Sequence, residues 1–273
     1  MKNLITRTLS GIVFLVVLIG SILWSQYAFI GLFLIISLLG LNEYFSMVNR
    51  FEGVNIDKLF GLLCGGLMFL LFALVVTGLA EPKVLLIGVF LLMAPFTYEL
   101  IRKESNPFPN SSYFVLGLVY VIIPFSMLGF LGNYKVIPGE YNPMVVLGYF
   151  ILVWSYDVFA YVVGSLIGRR KLFRQISPGK TWEGTLGGAL ITFGLAWLIA
   201  GFFQVFLFEQ WAVITAIIII FGTLGDLTES MIKRSVNIKD SGTIIPGHGG
   251  VLDRFDGVLF SAPMVLIYLL LFT

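Results

Sequence analysis

Charge is scarce in this chain. Only 12% of its 273 residues are Asp, Glu, Lys or Arg while 58% are hydrophobic, which excludes a soluble domain of ordinary composition. Cys64 is the single cysteine and sits in an apolar run, so an internal disulfide and a thiolate metal cage are excluded and the thiol reads as packing. His248 is the single histidine, which leaves any metal to hard oxygen ligands. No polar stretch is long enough to be a separate soluble domain. The net charge of +2 gives no reason to expect nucleic acid.

What the chain has in abundance is apolar runs, and its mean hydropathy is +0.98. Nine are readable, at about 9–24, 27–47, 59–79, 84–101, 113–131, 144–167, 185–207, 211–227 and 257–272. Each approaches the ~20 residues that cross a bilayer as a helix. They are too long for barrel strands, and helices satisfy their own backbone in lipid. The expected fold is therefore an all-α polytopic membrane protein of about nine transmembrane helices. Lys2 and Arg7 before the first run have the outline of a secretory signal. No small-x-small cleavage site follows, so a first transmembrane helix is expected instead.

Sorting the 17 Lys and Arg residues by alternate loops places all but Lys83 and Lys135 on the N-terminal side. The positive-inside rule then puts the N-terminus in the cytoplasm and the C-terminus outside. The two long loops on that side, 168–184 and 228–256, are also the richest in charge. The chain divides into N-terminal helices (1–80), middle helices available for oligomer contacts (81–142) and a catalytic region (143–273) that holds both loops. Gly164 with Gly168, and Gly184 with Gly188, fit close helix packing.

Carboxylates in apolar runs need partners. Glu43 and Glu99 lie near the cytoplasmic ends of their runs, where snorkelling or an Arg partner such as Arg102 is sufficient. Asp157 is about ten residues from the loop, or about 15 Å deep at 1.5 Å per residue, so a cavity or buried network is expected around it. Asp226, Glu229 and Lys233 share one helix face by their spacing of three and four. Asp253 and Asp256, three apart, follow the Gly247–Gly250 turn at the start of the last helix.

Such oxygen ligands suit Mg²⁺, or Mn²⁺ in its place, which is usually held by one or two carboxylates plus substrate phosphates. Asp226 and Asp253 are the leading ligands, with Glu229 and Asp256 left for a second site that a monovalent cation such as K⁺ would suit. Lys233, Arg234, Lys239 and Arg254 would neutralise phosphate oxygens, and Gly249 and Gly250 allow close backbone approach. His248 reads as a phosphate or loop hydrogen-bond donor.

The loop at 168–184 offers a second phosphate grip in Arg169, Arg170, Lys171 and Arg174, then Ser177, Lys180, Thr181 and Glu183. It is not a P-loop, because Arg174 stands where the first glycine belongs. Its basicity also fits an orientation signal alone.

Ser230-Met-Ile-Lys233-Arg234, Lys239-Asp240-Ser-Gly242 and Pro246-Gly-His248-Gly249-Gly250-Val-Leu-Asp253-Arg254-Phe-Asp256 together resemble the signature of the phosphatidate cytidylyltransferases, or CDP-diacylglycerol synthases. Asp157, Ala160, Tyr161 and Gly164 and the segment Ser177 to Gly184 continue the resemblance. It implies transfer of a cytidylyl group from CTP to phosphatidic acid with Mg²⁺, and a homodimer. An integral, multi-pass protein of the bacterial inner-membrane type follows, its site facing the cytoplasm. The expected site is a polar cavity between the helices at 144–167, 211–227 and 257–272, open to cytoplasmic CTP and laterally to membrane lipid.

Three alternatives compete. A transporter of an anionic substrate would use nine spans and a deep Asp157, but no repeat is visible and the 230–256 polar stretch would have no purpose. A CDP-alcohol phosphotransferase would match Asp253-x-x-Asp256 only loosely. A polyprenol kinase would release a nucleoside diphosphate instead of pyrophosphate.

Overall fold

The structure is a computed structural model that describes residues 2–135, 140–244, 247 and 249–273, with side chains from Thr8 onward. Helices α1 (Lys2–Trp24), α2 (Gln26–Val48) and α3 (Lys58–Val76) are followed by a 3-10 turn, Pro82–Leu86, that leads into α4 (Ile87–Arg102). Next, α5 (Pro107–Gly117) passes through a π turn, Leu118–Ile122, into α6 (Ile123–Leu131). The C-terminal part is α7 (Pro143–Ile167), strands β1 (Lys171–Phe173) and β2 (Ser177–Thr181), α8 (Trp182–Phe203), α9 (Phe208–Ser235) and α10 (Leu252–Phe272). Among the described residues, eight helical stretches are long and apolar enough to cross a membrane, and Thr8–Trp24 is a shorter apolar ninth. The chain is thus a polytopic all-α membrane protein.

Local chemistry sets the breaks. Ser25 separates α1 from α2 by accepting the Ala28 N–H at 3.1 Å, and Asp57 starts α3 by accepting that of Phe60 at 3.1 Å, both ordinary N-caps. Asp57 also accepts the Tyr98 hydroxyl at 2.6 Å, and that bond, with the Phe60 N–H, holds its carboxyl below the usual range. The π turn falls just before Pro124, which cannot donate to the carbonyl four residues back, so the ladder widens there.

Both segments expected as long loops are more ordered than that. Residues 168–184 contain an antiparallel hairpin that pairs Lys171 with Thr181 and Phe173 with Ser177. In the other, α9 continues to Ser235 and α10 begins at Leu252, so only 236–251 is loop. Glu229 and Lys233, four apart, pair on the helix at 2.7 Å, and Asp226 pairs with Lys180, so the chain need not leave the helix where the apolar run ends.

Four phenylalanines from distant positions form the centre. Phe33 lies 5.9 Å from Phe125, 6.0 Å from Phe150 and 5.7 Å from Phe255, ring centre to ring centre, and all four are fully buried. They join α2, α6, α7 and α10 into one core. On the other side α7 and α8 meet backbone to backbone: a Cβ at Gly184 would sit 2.6 Å from the Ala160 carbonyl oxygen and one at Gly188 2.7 Å from the Ala160 nitrogen, in keeping with the packing expected of these glycines. The end of α7, the hairpin, the start of α8, the end of α9 and the start of α10 therefore converge at one end of the bundle.

Candidate active site

At that end is a cavity of about 620 Å³, within the size range of small-molecule sites. Asp157 and Tyr161 of α7, Lys180 and Thr181 of the hairpin, Asp226 of α9 and Asp253 and Asp256 of α10 all line it, as does Ser177. Thr185 of α8 lines it too, so the cavity involves α8 and the hairpin beyond the three helices expected. Asp157 is accessible, but to this cavity on the inner side of α7.

Lys180 is carried across the cavity by β2 and forms an ion pair with Asp226. Burial works against its charge, but Asp226 and its hydrogen bond outweigh this, and the Lys180 pKa is raised. The residues beside it hold the hairpin. Thr181 caps α8 by accepting the Gly184 N–H at 3.2 Å, and Glu183 Oε2 accepts the backbone N–H groups of Arg169 and Arg170 at 3.0 and 3.1 Å. The side chains of Arg169 and Arg170 are exposed and lie off the cavity wall, so the structure gives them no contact with the acidic cluster.

The second half is more enclosed. Lys233 Nζ donates to Glu229 Oε2 at 2.7 Å and to Asp253 Oδ1 at 2.6 Å. The other oxygen of Asp253 accepts from the Ser241 N–H at 2.9 Å, the Ser241 hydroxyl at 3.0 Å and the Gly250 N–H at 2.8 Å. Asp253 is thus wrapped by its own loop. Gly249 follows this course at φ +85°, a left-handed conformation that a side chain would strain.

Glu43 corrects its sequence expectation. It neither snorkels nor pairs with an arginine: it is buried, and it accepts the N–H groups of Val251 at 2.9 Å and Leu252 at 3.0 Å and the Ser241 hydroxyl at 3.0 Å. Glu99 does take the expected partner, with Arg102 at 2.7 Å, and adds Asn110 at 3.2 Å. The signal that separates the two acids is a nearby base: Glu99 has Arg102 one turn on, whereas no Lys or Arg lies within a turn of Glu43.

Other expected site residues lie off the cavity wall. Arg234 is exposed and donates to the Ile238 carbonyl at 3.0 Å, and Lys239, Asp240 and Arg254 are exposed without lining the cavity. His248 lies outside the described residues.

Some polar atoms have no partner among the described residues. Asp157 accepts no hydrogen bond, and Glu229 Oε1 is buried without one, as are the hydroxyls of Tyr44 and Tyr120. Asp256 is within electrostatic reach of Asp226, Glu229 and Asp157. No three His, Cys, Asp or Glu side chains among the described residues form a metal cage.

A family model described as the cytidylyltransferase family matches residues 5–272. The chain belongs to the cytidylyltransferase family. Among the similar proteins, a phosphatidate cytidylyltransferase of Bacillus subtilis (strain 168) is 36% identical over 72% of this chain and 71% of its own length. One from Staphylococcus haemolyticus (strain JCSC1435) is 31% identical over 97% of this chain and 98% of its own. A third, from Rickettsia bellii (strain RML369-C), is 39% identical over 56% of this chain and 67% of its own. For a cytidylyltransferase, a cavity whose lysines face surplus carboxylates is apt chemistry.

Proposed function

We propose that this cytidylyltransferase transfers the cytidylyl group of CTP to phosphatidic acid, forming CDP-diacylglycerol and pyrophosphate. The observation that carries this reading is the charge balance of the cavity. Its lining sets Asp157, Asp226, Asp253 and Asp256 against Lys171 and Lys180, a surplus of carboxylate that an anionic nucleotide would not approach unaided.

The donor set fits Mg²⁺. Mg²⁺ is usually bound by one or two carboxylates and completed by substrate phosphates, so a site without a three-ligand cage is of the right kind. Asp226 and Asp253 would hold it, or Mn²⁺ in its place; when bound, it supplies Lewis-acid screening between the two phosphate substrates. Glu229 and Asp256 provide oxygens for a second ion, for which K⁺ is a candidate.

The side chains then have distinct tasks. The phosphatidate phosphate has a second pKa near 6, so it reaches the site ionised and no general base is required. Its oxygen attacks the α-phosphorus of CTP, the α–β bridging bond breaks, and the electron pair leaves with pyrophosphate. Lys180, projecting from the hairpin, would take developing charge on the phosphates. Lys233 keeps Asp253 and Glu229 in place. Ser177 and Thr181 line the cavity and would donate hydrogen bonds to phosphate oxygens, and Arg234, Lys239 and Arg254 would gather the leaving group, with His248 as a further donor.

Residues 143–273 carry this chemistry. The positive-inside bias puts the site on the cytoplasmic side, where CTP enters, while phosphatidate arrives sideways from the bilayer. The homodimer belongs to this proposal through family resemblance. Purified protein incubated with labelled CTP, phosphatidate and Mg²⁺ should form CDP-diacylglycerol and pyrophosphate, and lose the activity with chelator. Failure to form either product would defeat the proposal, and external labelling of the 236–251 loop in intact cells would defeat its orientation.

A further inference from the structure

Helix α10 starts without a cap of its own: Val251, at its N-cap position, makes no side-chain capping bond. The free N–H groups of a first turn need acceptors. Here they come from a helix about two hundred residues earlier, since Glu43 on α2 accepts from Val251 at 2.9 Å and Leu252 at 3.0 Å. A carboxylate at a helix N-terminus also meets the positive end of the helix dipole.

The contact reaches further than a cap. The Ser241 hydroxyl stands 3.0 Å from Glu43 Oε2 and 3.0 Å from Asp253 Oδ2, and its single proton can serve only one of them at a time. The loop is shaped around this carboxylate, because a Cβ at Gly250 would lie 2.5 Å from Glu43 Oε2 and one at Gly242 2.5 Å from Glu43 Oε1. A side chain at either position would push Glu43 off these contacts. Glu43 touches the 236–251 loop at Ser241 and at its C-terminal end and, through Ser241, the carboxylate of Asp253, yet it does not line the cavity.

We infer that Glu43 is a positioning residue for the transfer reaction, fixing Asp253 by clamping Ser241 and the first turn of α10. The inference rests on the cytidylyl-transfer reading of the site. It predicts a fault in turnover instead of substrate affinity, since Asp253 lines the cavity and Glu43 does not.

The test compares Glu43→Gln and Ser241→Ala with the wild type as full-length protein in detergent. In Glu43→Gln an amide N–H₂ faces backbone N–H donors, and kcat should fall about 10- to 100-fold, the scale of an unsatisfied buried donor. KM for CTP and for phosphatidate should stay within about twofold of wild type, and trypsin should cut after Lys239 several times faster. Ser241→Ala keeps both backbone contacts and should lose kcat several-fold, which covers the case of a poorly folding Glu43 variant. Wild-type kcat in both variants overturns the inference, as does a loss of activity that only tracks the loss of folded protein. A wild type that makes no CDP-diacylglycerol would instead defeat the function reading, while the trypsin arm still decides whether Glu43 holds the loop.

Discussion

Two lysine–carboxylate pairs each bring an aspartate to the cavity wall, and they are built differently. Lys180 and Asp226 keep 26% and 28% of their side chains accessible, whereas Lys233, Asp253 and Glu229 keep 11%, 6% and 0%. Asp226 accepts only Lys180 and a long 3.3 Å bond from Ser230. Asp253 is bonded on both oxygens. Asp226 is therefore the readier of the two proposed metal ligands to exchange its partner, whereas Asp253 would offer a metal oxygens that the fold already holds. A site that must exclude and admit phosphates in turn benefits from having both kinds.

The largest expected effect would break the comparison at the aspartates. Asp226→Asn should reduce turnover by about a thousandfold or more, the upper scale for losing an electrostatic group, while the thermal transition in detergent stays near wild type. Asp253→Asn should reduce turnover similarly and also lower the transition, because the Lys233 and loop bonds depend on it. Equal transitions in the two variants would erase the distinction. Next come the lysines. Lys233→Met leaves Glu229 buried and unpaired, and loss of one partner of a buried pair costs about 3–5 kcal/mol, visible as a sharp drop in folded yield. Lys180→Met should fold well yet turn over about a hundredfold more slowly.

A smaller effect concerns pH. The Lys180 pKa is raised in the fold, so its contribution to stability is fully present below the unfolded lysine value of about 10.4 and is lost only as pH rises through the folded value. The stability gap between wild type and Lys180→Met should stay constant from about pH 7 to 9 and close only above about pH 10, as followed by thermal melts. Least of all, Arg169→Ala with Arg170→Ala should change kcat/KM by less than about threefold, since exposed charges contribute little. A larger loss would move the phosphate grip outward to the hairpin's start.

The helices were legible because long apolar runs have one reasonable conformation in lipid. The cluster at Asp226, Lys233, Asp253 and Lys180 was legible for the complementary reason: polar residues are too few in this chain to be incidental. Their spacing of three and four placed Asp226, Glu229 and Lys233 on one face, and the structure pairs the last two. What escaped was long-range. Nothing near Glu43 in sequence announces that its donors are Ser241, Val251 and Leu252. The hairpin escaped because its strands are short and rich in Gly, Pro and Lys, a composition that reads as loop. Likewise the opening of α9 and α10 into the polar segment depends on ion pairs between helices, which hydropathy does not register.

The ring cluster of Phe33, Phe125, Phe150 and Phe255 has a consequence for how the molecule is made. Its members are spread from the second helix to the last, so the ring cluster is complete only once α10 has joined the bundle. Earlier helices can pair with one another before then, but the four-ring centre waits for Phe255. The same helix delivers Asp253 and Asp256, so assembly of the core and completion of the acidic cluster become a single late event, and a chain cut short before α10 has neither.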